Sequence, residues 1–135
     1  MGGKGFRDLL VWQRSKELAV HIYKISNQGG LNKDYGLRDQ IRRSAVSISS
    51  NIAEGDERDT NKESIRFLYI AKGSLAELRT QLEIAYEIGY IEERVYSELE
   101  NVCDEIGRRI GKLIKARQPL SPITYNLSPG VVGYR

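Results

Sequence analysis

Residues 44–82 constrain the fold of this chain more than any other stretch. Apolar residues recur there at spacings of three and four on both sides of a polar turn, which is the period at which side chains stack on one face of an α-helix. Two runs of small and polar residues, 47–55 and 73–78, are threaded between the apolar positions. The stretch therefore predicts two amphipathic helices joined by a short turn, with polar groups beside the buried faces.

Extending the same periodicity over the whole chain predicts four helices. They are expected over residues 8–26, 36–54, 60–88 and 92–117. The connections between them are short, which implies that consecutive helices are antiparallel neighbours. The predicted fold class is all-α, an antiparallel up-down-up-down four-helix bundle. At 135 residues the chain suits one domain: an N-terminal extension at 1–7, the bundle at 8–117, and a proline- and glycine-containing tail at 118–135.

Several residues are placed to begin or end these helices. Asp8 is predicted to cap the first helix, and Thr60 with Glu63 forms a capping box at the start of the third. Gly55 and Gly89 are predicted to end the second and third helices, because glycine accepts the left-handed backbone that follows many helices. Residues 31–35 are expected to form a plain connection.

Charge is unevenly distributed along the last helix. Residues 92–105 hold six acids and one base, whereas residues 106–117 hold five bases and no acid. In an up-down bundle this basic end lies beside the N-terminus of the first helix. The predicted nucleic-acid-binding residues are Lys4, Arg7, Arg108, Arg109, Lys112, Lys115 and Arg117. Clustered cations bind phosphates in a salt-dependent manner, but bases at a helix C-terminus also stabilise the helix dipole, which leaves a purely structural role open.

Other classes of function lack their residues. The single cysteine, Cys103, and the single histidine, His21, cannot assemble a cysteine zinc site, a histidine metal site or a catalytic triad. There is no Glu-x-x-His pair of the di-iron type and no phosphate-binding glycine loop. We therefore expect no enzyme, no metal and no cofactor. No apolar run is long enough to span a membrane and the N-terminus is not a signal peptide, so the predicted location is the cytoplasm.

The motif residues carry a family resemblance. Residues 6–13, then Asn51-Ile52-Ala53-Glu54-Gly55, then Gly73-Ser74-Leu75-Ala76-Glu77-Leu78 resemble the four-helix-bundle family encoded in intervening sequences of bacterial 23S rRNA genes. Accessory proteins of diversity-generating retroelements are related to it. The resemblance covers residues 6–115, and it implies a homo-oligomeric ring, a homopentamer. Family members often have proline where this chain has Ser49, so its second helix should be less kinked.

The resemblance implies no established catalytic role for the motif itself. Its residues here are Ser47, Asn51, Glu54, Gly55, Gly73, Ser74 and Glu77. Asn51 and Glu54 are expected to bond locally at the helix end and fix its geometry, with a functional polar pair as the alternative. Arg42 and Glu77 are predicted to form an ion pair between the second and third helices. The eight tyrosines could stack on unpaired bases, but we favour a subunit interface.

Taken together, these patterns favour a non-enzymatic, homo-oligomeric bundle that binds structured RNA or a nucleoprotein partner through its basic surface. Retroelement relatives bind nucleic acid and a reverse transcriptase in that way, as the resemblance implies. The alternative is a protein-only scaffold or adaptor, in which the bases only compensate the helix dipole. A third hypothesis is an enzyme that uses carboxylates at a subunit junction.

Overall fold

Helices form all the regular structure in the part of the chain that the computed structural model describes, residues 5–119. A 3-10 turn at Gly5–Asp8 comes first. The α-helices are α1 at Leu10–Ile25, α2 at Gly29–Lys33, α3 at Tyr35–Asp56, α4 at Asn61–Ile88 and α5 at Glu93–Arg117. The predicted all-α class is confirmed. The predicted extension at 1–7 and tail at 118–135 lie largely outside the described residues.

The four long helices pack into a bundle around one apolar core. Helix α3 packs against α1 and α4, and α5 packs against α4 and α1. Helices α1 and α4 therefore occupy diagonal corners. Each long helix contributes leucine, isoleucine or alanine side chains at the predicted helical spacing, and the fully buried ones include Ile22, Ile48, Leu78 and Ile106. Burying these apolar side chains is the main favourable term that holds the bundle together.

Two of the predicted helix ends are confirmed. At the start of α4 the backbone N–H of Glu63 donates to Thr60 Oγ1 over 3.2 Å, which is one half of the predicted capping box; the Glu63 carboxylate pairs with Arg66 instead. Gly89 ends α4 with φ at +100°, a left-handed conformation that glycine adopts without strain. A third cap was missed in the sequence: Asp34 Oδ1 accepts from the N–H of Leu37 over 3.1 Å and caps α3.

Three predictions about helix boundaries are wrong. Asp8 does not cap α1, because it ends the preceding 3-10 turn and the cap position falls on Leu9. Residues 31–35 are not a plain connection, since the short helix α2 runs into them and buries Leu31 in the core. Gly55 does not end the second long helix. It lies inside α3, which continues to Asp56, and it faces α4 at close range.

Candidate nucleic-acid interface

Helix α5 presents its basic residues in more than one direction. Arg108, Lys112 and Lys115 follow one another at spacings of four and three, so they share an outer flank, and all three are exposed. We call these three residues the α5 basic flank. Arg109 and Arg117 are half-buried on other sides of the helix. The predicted cluster is therefore divided rather than continuous.

Carboxylates neutralise part of this charge. Arg108 pairs with Asp104, one helical turn earlier. The guanidinium of Arg117 lies 3.0 Å from Asp56 and joins the end of α5 to the end of α3. Such an inter-helix pair gives Arg117 a structural role, and we expect it to be less available to a ligand than an unpaired lysine.

Arg109 belongs to a second structural pair. Glu105 accepts from Arg109 Nε over 2.9 Å and from Arg14 Nη2 on α1 over 2.7 Å. These hydrogen bonds, with that from Arg14 as the larger cause, lower the pKa of the Glu105 carboxyl to about 2. The carboxylate therefore stays charged across the physiological range and holds α5 against α1.

Two lysines remain open. Neither Lys112 nor Lys115 has an ion-pair partner among residues 5–119. Both are exposed on the α5 basic flank. Among the basic residues of the predicted cluster that lie on α5, they consequently fit an anionic ligand best.

A groove between α4 and α5 borders the α5 basic flank. Leu75 and Gly107 form its floor, where a Cβ on Gly107 would lie 3.3 Å from Leu75 Cδ2. Lys72 and Arg79, both from α4, line the rim along with Arg108. The groove thus adds Lys72 from a second helix, while Asp104 contributes a carboxylate to the same lining.

Sequence reasoning missed Lys72 and Arg79. They are seven residues apart, about two helical turns, so their spacing already placed them on one side of α4. What the spacing could not indicate is that this side faces α5. Arg79 donates to Glu100 over 2.8 Å, whereas Lys72 is exposed with its ammonium 5.9 Å from the centre of the Tyr69 ring.

The beginning of α1 lies against the end of α5. Leu9 and Leu10 line a groove with Arg109 and Lys112. Arg7 is exposed in the preceding 3-10 turn, and its guanidinium lies 4.7 Å from the centre of the Phe6 ring. Lys4 lies outside the described residues. The structure therefore brings these two helix ends together.

The polar motif residues meet along the contact between α3 and α4. Ser47 Oγ lies 2.8 Å from Ser74 Oγ on the facing helix. Asn51 Nδ2 donates to the Ser47 carbonyl oxygen over 2.8 Å and to Ser47 Oγ over 3.0 Å. The Glu54 carboxylate pairs with Arg58 one turn later. The half-buried polar groups of Ser47 and Asn51 are thus satisfied within the helix pair. Exposed Glu54 reaches the turn after Gly55, as predicted, whereas Asn51 bonds one turn back to Ser47 and not at the helix end.

Gly55 completes this contact. A Cβ on Gly55 would lie 3.0 Å from the Ser64 carbonyl oxygen and 3.2 Å from Phe67 Cβ. Glycine is therefore needed here for the backbones of α3 and α4 to approach, and not to end a helix. The motif is a helix-packing device at this position.

Comparison with known proteins identifies the family of this chain. The family model described as 23S rRNA-intervening sequence protein matches residues 7–112. The chain belongs to this family. A crystal structure of a protein of unknown function from the S23 ribosomal protein family of Bacteroides thetaiotaomicron is similar to this chain, with a TM-score of 0.74 and 29% identity. The similarity covers 78% of this chain and 96% of that one. No curated protein matches significantly.

Two motif residues of this 23S rRNA-intervening sequence protein have no packing role within the chain. Gly73 is exposed, and a Cβ added there would meet nothing within 4 Å. Glu77 is exposed beside a groove between α3 and α4, which Arg43 also lines. The motif is therefore divided into a part that packs two helices and a part that faces outward.

The predicted ion pair between Arg42 and Glu77 is wrong. Arg42 Nε donates to Ser26 Oγ over 2.7 Å, and its guanidinium lies 4.6 Å from the centre of the Tyr23 ring. It thus points toward α1, because one residue step turns a helix by about 100°. Arg43 is the basic residue on the side of Glu77.

Metal-binding clusters of three or more histidine, cysteine, aspartate or glutamate side chains do not occur within residues 5–119. Cys103 is a free, buried cysteine, and burial raises the pKa of its thiol to about 12. Such a thiol is protonated at neutral pH and is a poor nucleophile. The helices of the described range are not long and apolar enough to span a membrane.

Proposed function

We propose that this member of the 23S rRNA-intervening sequence protein family is a non-enzymatic, homo-oligomeric bundle that binds structured RNA through the α5 basic flank. The observation that carries the proposal is the pair Lys112 and Lys115, exposed and without an ion pair in the described range. Lys72 extends the positive surface across the neighbouring groove. Clustered cations of this kind bind phosphates by releasing counterions, which makes the binding depend on salt.

The assembly belongs to the same proposal. We expect the helices to run up-down-up-down and several copies to form a ring, a pentamer in the cytoplasm. Apolar side chains are exposed at two places on α4, Tyr69 with Ile70 and Ile84 with Ile88, and this exposure supports self-association. A nucleoprotein could present the RNA to such a ring.

A protein-only scaffold is the second candidate. It is favoured by the carboxylates that already pair with Arg108, Arg109 and Arg117, which reduce the charge that RNA would meet. In that case the two open lysines only complement the dipole of α5. The two candidates differ in whether the purified protein binds RNA at all.

Fluorescence anisotropy of labelled structured RNA and matched duplex DNA, titrated with the protein at several salt concentrations, tests the proposal. A variant with Lys112→Gln and Lys115→Gln removes the two open charges. The matched control, Lys33→Gln with Lys62→Gln, removes two exposed charges elsewhere. We expect the first variant to weaken RNA binding and to make the salt slope shallower by about 1–2, at roughly 0.7–0.9 per lost phosphate contact.

The control variant should bind nearly as well as the wild type. Equal losses in both variants would indicate attraction to net charge without a defined surface. Absence of RNA binding even at low salt would reject the proposal and favour the scaffold. Oligomer size is measured in parallel, so that loss of assembly is not mistaken for loss of a contact.

A further inference from the structure

A groove between α3 and α4 is lined by polar side chains. Its lining residues are Gln40, Arg43, Ser44 and Ser47 from α3, with Glu77 and Gln81 from α4. We call it the α3–α4 groove. Its volume is about 430 Å³, within the range of roughly 300–1,000 Å³ that is usual for ligand sites. Ser47 and Glu77 belong to the family motif, and the RNA contact proposed above uses neither of them.

Arg43 presents an exposed guanidinium to this groove. Within residues 5–119, every other arginine pairs with a carboxylate, bonds to a hydroxyl or lies against an aromatic ring. Arg43 does none of these. Its neighbour Arg42 differs, because Ser26 and Tyr23 hold it against α1. The donors of Arg43 are therefore open to a ligand.

The lining residues from α4 offer acceptors. Glu77 is exposed, and it forms no ion pair in the described part of the chain although Arg43 lines the same groove. Gln81 Oε1 is buried and accepts no hydrogen bond from the described residues. A buried amide oxygen without a donor is costly. A ligand that brings N–H donors to this side of the groove would therefore be stabilised.

The charges of the α3–α4 groove indicate which kind of ligand suits it. Arg43 and Glu77 cancel in net charge, and Glu77 repels a phosphate that approaches Arg43. The groove therefore differs from the α5 basic flank, where the open lysines Lys112 and Lys115 favour phosphates. A neutral group that carries donors on one edge and acceptors on another matches this lining.

Guanine is the nucleobase with that arrangement. On its Watson–Crick edge, N1–H and the N2 amino group are neighbouring donors, and they match the two oxygens of one carboxylate. O6 and N7 are neighbouring acceptors, and they match the fork of one guanidinium. Adenine, cytosine and uracil do not present two neighbouring nitrogen donors. In RNA, this edge of guanine is free only where the nucleotide is unpaired.

The α3–α4 groove is also near the surface proposed to bind RNA. Helix α4 separates it from the groove that borders the α5 basic flank, and a helix with its side chains is about 10–12 Å across. The same turns of α4 line both grooves, with Lys72 and Arg79 on one side and Glu77 and Gln81 on the other. One folded RNA can therefore reach both.

We propose that the α3–α4 groove binds the base of an unpaired guanine in RNA. Glu77 accepts hydrogen bonds from N1–H and the N2 amino group, and Arg43 donates to O6 and N7. The inference rests on the RNA binding of the proposed function and adds a base preference to it. The α5 basic flank contacts phosphates, whereas the α3–α4 groove reads one base.

Fluorescence anisotropy with labelled hairpin RNAs tests the proposal. The hairpins share one stem and a uridine loop that holds a single guanosine, inosine, 7-deazaguanosine or adenosine. Inosine lacks only the N2 amino group, and 7-deazaguanosine lacks only the N7 acceptor. We expect the wild type to bind the guanosine hairpin about 5- to 100-fold more tightly than the adenosine hairpin, as bidentate base contacts provide.

Two variants assign the contacts. Glu77→Ala should bind the guanosine and inosine hairpins nearly equally while still discriminating against 7-deazaguanosine, and Arg43→Ala should do the reverse. The controls Glu83→Ala and Lys62→Ala remove exposed charges outside the groove and should keep both preferences. All four positions are exposed, so circular dichroism should show unchanged helicity. Hairpins are compared within each variant, so the general effect of its charge on RNA binding cancels.

The outcomes separate this inference from the proposed function. A wild type that binds none of the hairpins at low salt overturns both. A wild type that binds all four hairpins equally overturns the guanine site alone, and so does a guanosine preference that survives both variants, because the base is then read elsewhere. Guanosine monophosphate that binds more tightly than the guanosine hairpin would also overturn the inference, since the groove would then hold a free nucleotide.

Discussion

Glycines with the same helical conformation have different functions in this chain. Gly55 faces α4, where a side chain would collide with the Ser64 backbone. Gly111 lies on α5, and a Cβ added there would meet no atom within 4 Å. Helix propensity favours alanine equally at both sites. A difference between the two sites in how alanine changes the free energy of unfolding therefore reports the packing of α3 on α4.

Substituting each glycine with alanine measures that difference. We expect Gly55→Ala to lower the free energy of unfolding by about 1–3 kcal/mol, because the backbones of α3 and α4 must separate. Gly111→Ala should raise it by up to about 1 kcal/mol. Urea unfolding followed by circular dichroism measures both. A Gly55→Ala protein as stable as the Gly111→Ala protein would contradict the close approach.

The contact partners of individual side chains were the hardest feature to predict from the sequence. The motif residues Ser47, Asn51 and Ser74 were recognised as polar positions among core residues, and the structure places them in contact. The predicted partner of Arg42, Glu77 on α4, is wrong, because Arg42 contacts Ser26 and Tyr23 instead. Periodicity places a residue on one side of its helix, but the neighbour on that side depends on how the helices are rotated.

At the scale of elements, α1 and α5 form the sparsest contact between neighbouring long helices. Glu105 supports that contact by accepting hydrogen bonds from Arg14 on α1 and from Arg109 on α5. A carboxylate held by two guanidinium groups stabilises the folded state only while it is charged. The α1–α5 contact should therefore be sensitive to acid.

Glu105→Gln tests this sensitivity. The folded-state pKa of about 2 lies below the ordinary value of 4.5, so the contribution is complete above pH 4.5 and is lost as the pH falls toward 2. We expect the substitution to cost about 1–2 kcal/mol at pH 7. The difference from wild type should shrink steadily in urea unfolding at pH 4.5, 3.5 and 2.5.

An exposed pair on the same helix provides the control. Glu98 pairs with Arg94 on the surface of α5, and Glu98→Gln should change the free energy of unfolding by less than about 0.5 kcal/mol. A constant difference between Glu105→Gln and wild type at every pH would show that Glu105 titrates normally in the folded protein.

Helices could be predicted from the sequence where the apolar periodicity extends over many residues. The four long helices follow it closely, and the ends marked by Thr60 and Gly89 were predicted. Short helix α2 was missed, since five residues are too few to show a period. Gly55 was misread as a helix end because the same residue type serves both left-handed caps and close helix contacts.

For the whole molecule, the ends of α3 and α5 are joined by Asp56 and Arg117. Their side chains are 18% and 21% exposed, and the oxygen and nitrogen lie 3.0 Å apart. A pair so shielded from water is worth more than an exposed one. Arg117 was counted among the nucleic-acid-binding residues, and its position gives it a competing structural role.

A double-mutant cycle on Asp56→Asn and Arg117→Gln separates these roles. We expect a coupling free energy of about 1–2 kcal/mol in urea unfolding. The exposed pair of Asp104 and Arg108 within α5 should give less than about 0.5 kcal/mol. No coupling between Asp56 and Arg117, together with weaker RNA binding by Arg117→Gln, would instead return Arg117 to the interface.

The class of fold was predictable from the sequence, whereas the distribution of function over the molecule was not. Net charge and helix polarity indicated a basic end, but only the structure shows which bases carboxylates already hold. The same applies to Gly73 and Glu77, whose outward position depends on which side of α4 the core occupies. Residue patterns predict which residues share one side of a helix, whereas the packing of the helices determines what that side contacts.

Because Cys103 is buried, the reactivity of its thiol reports local opening of the structure around it. It is the only cysteine, it is enclosed on α5, and its thiol is unreactive while enclosed. A thiol-specific reagent therefore modifies the native protein only when the neighbourhood of α5 transiently opens. The rate of labelling therefore measures how often that opening occurs, and mass spectrometry can follow it in the wild-type protein.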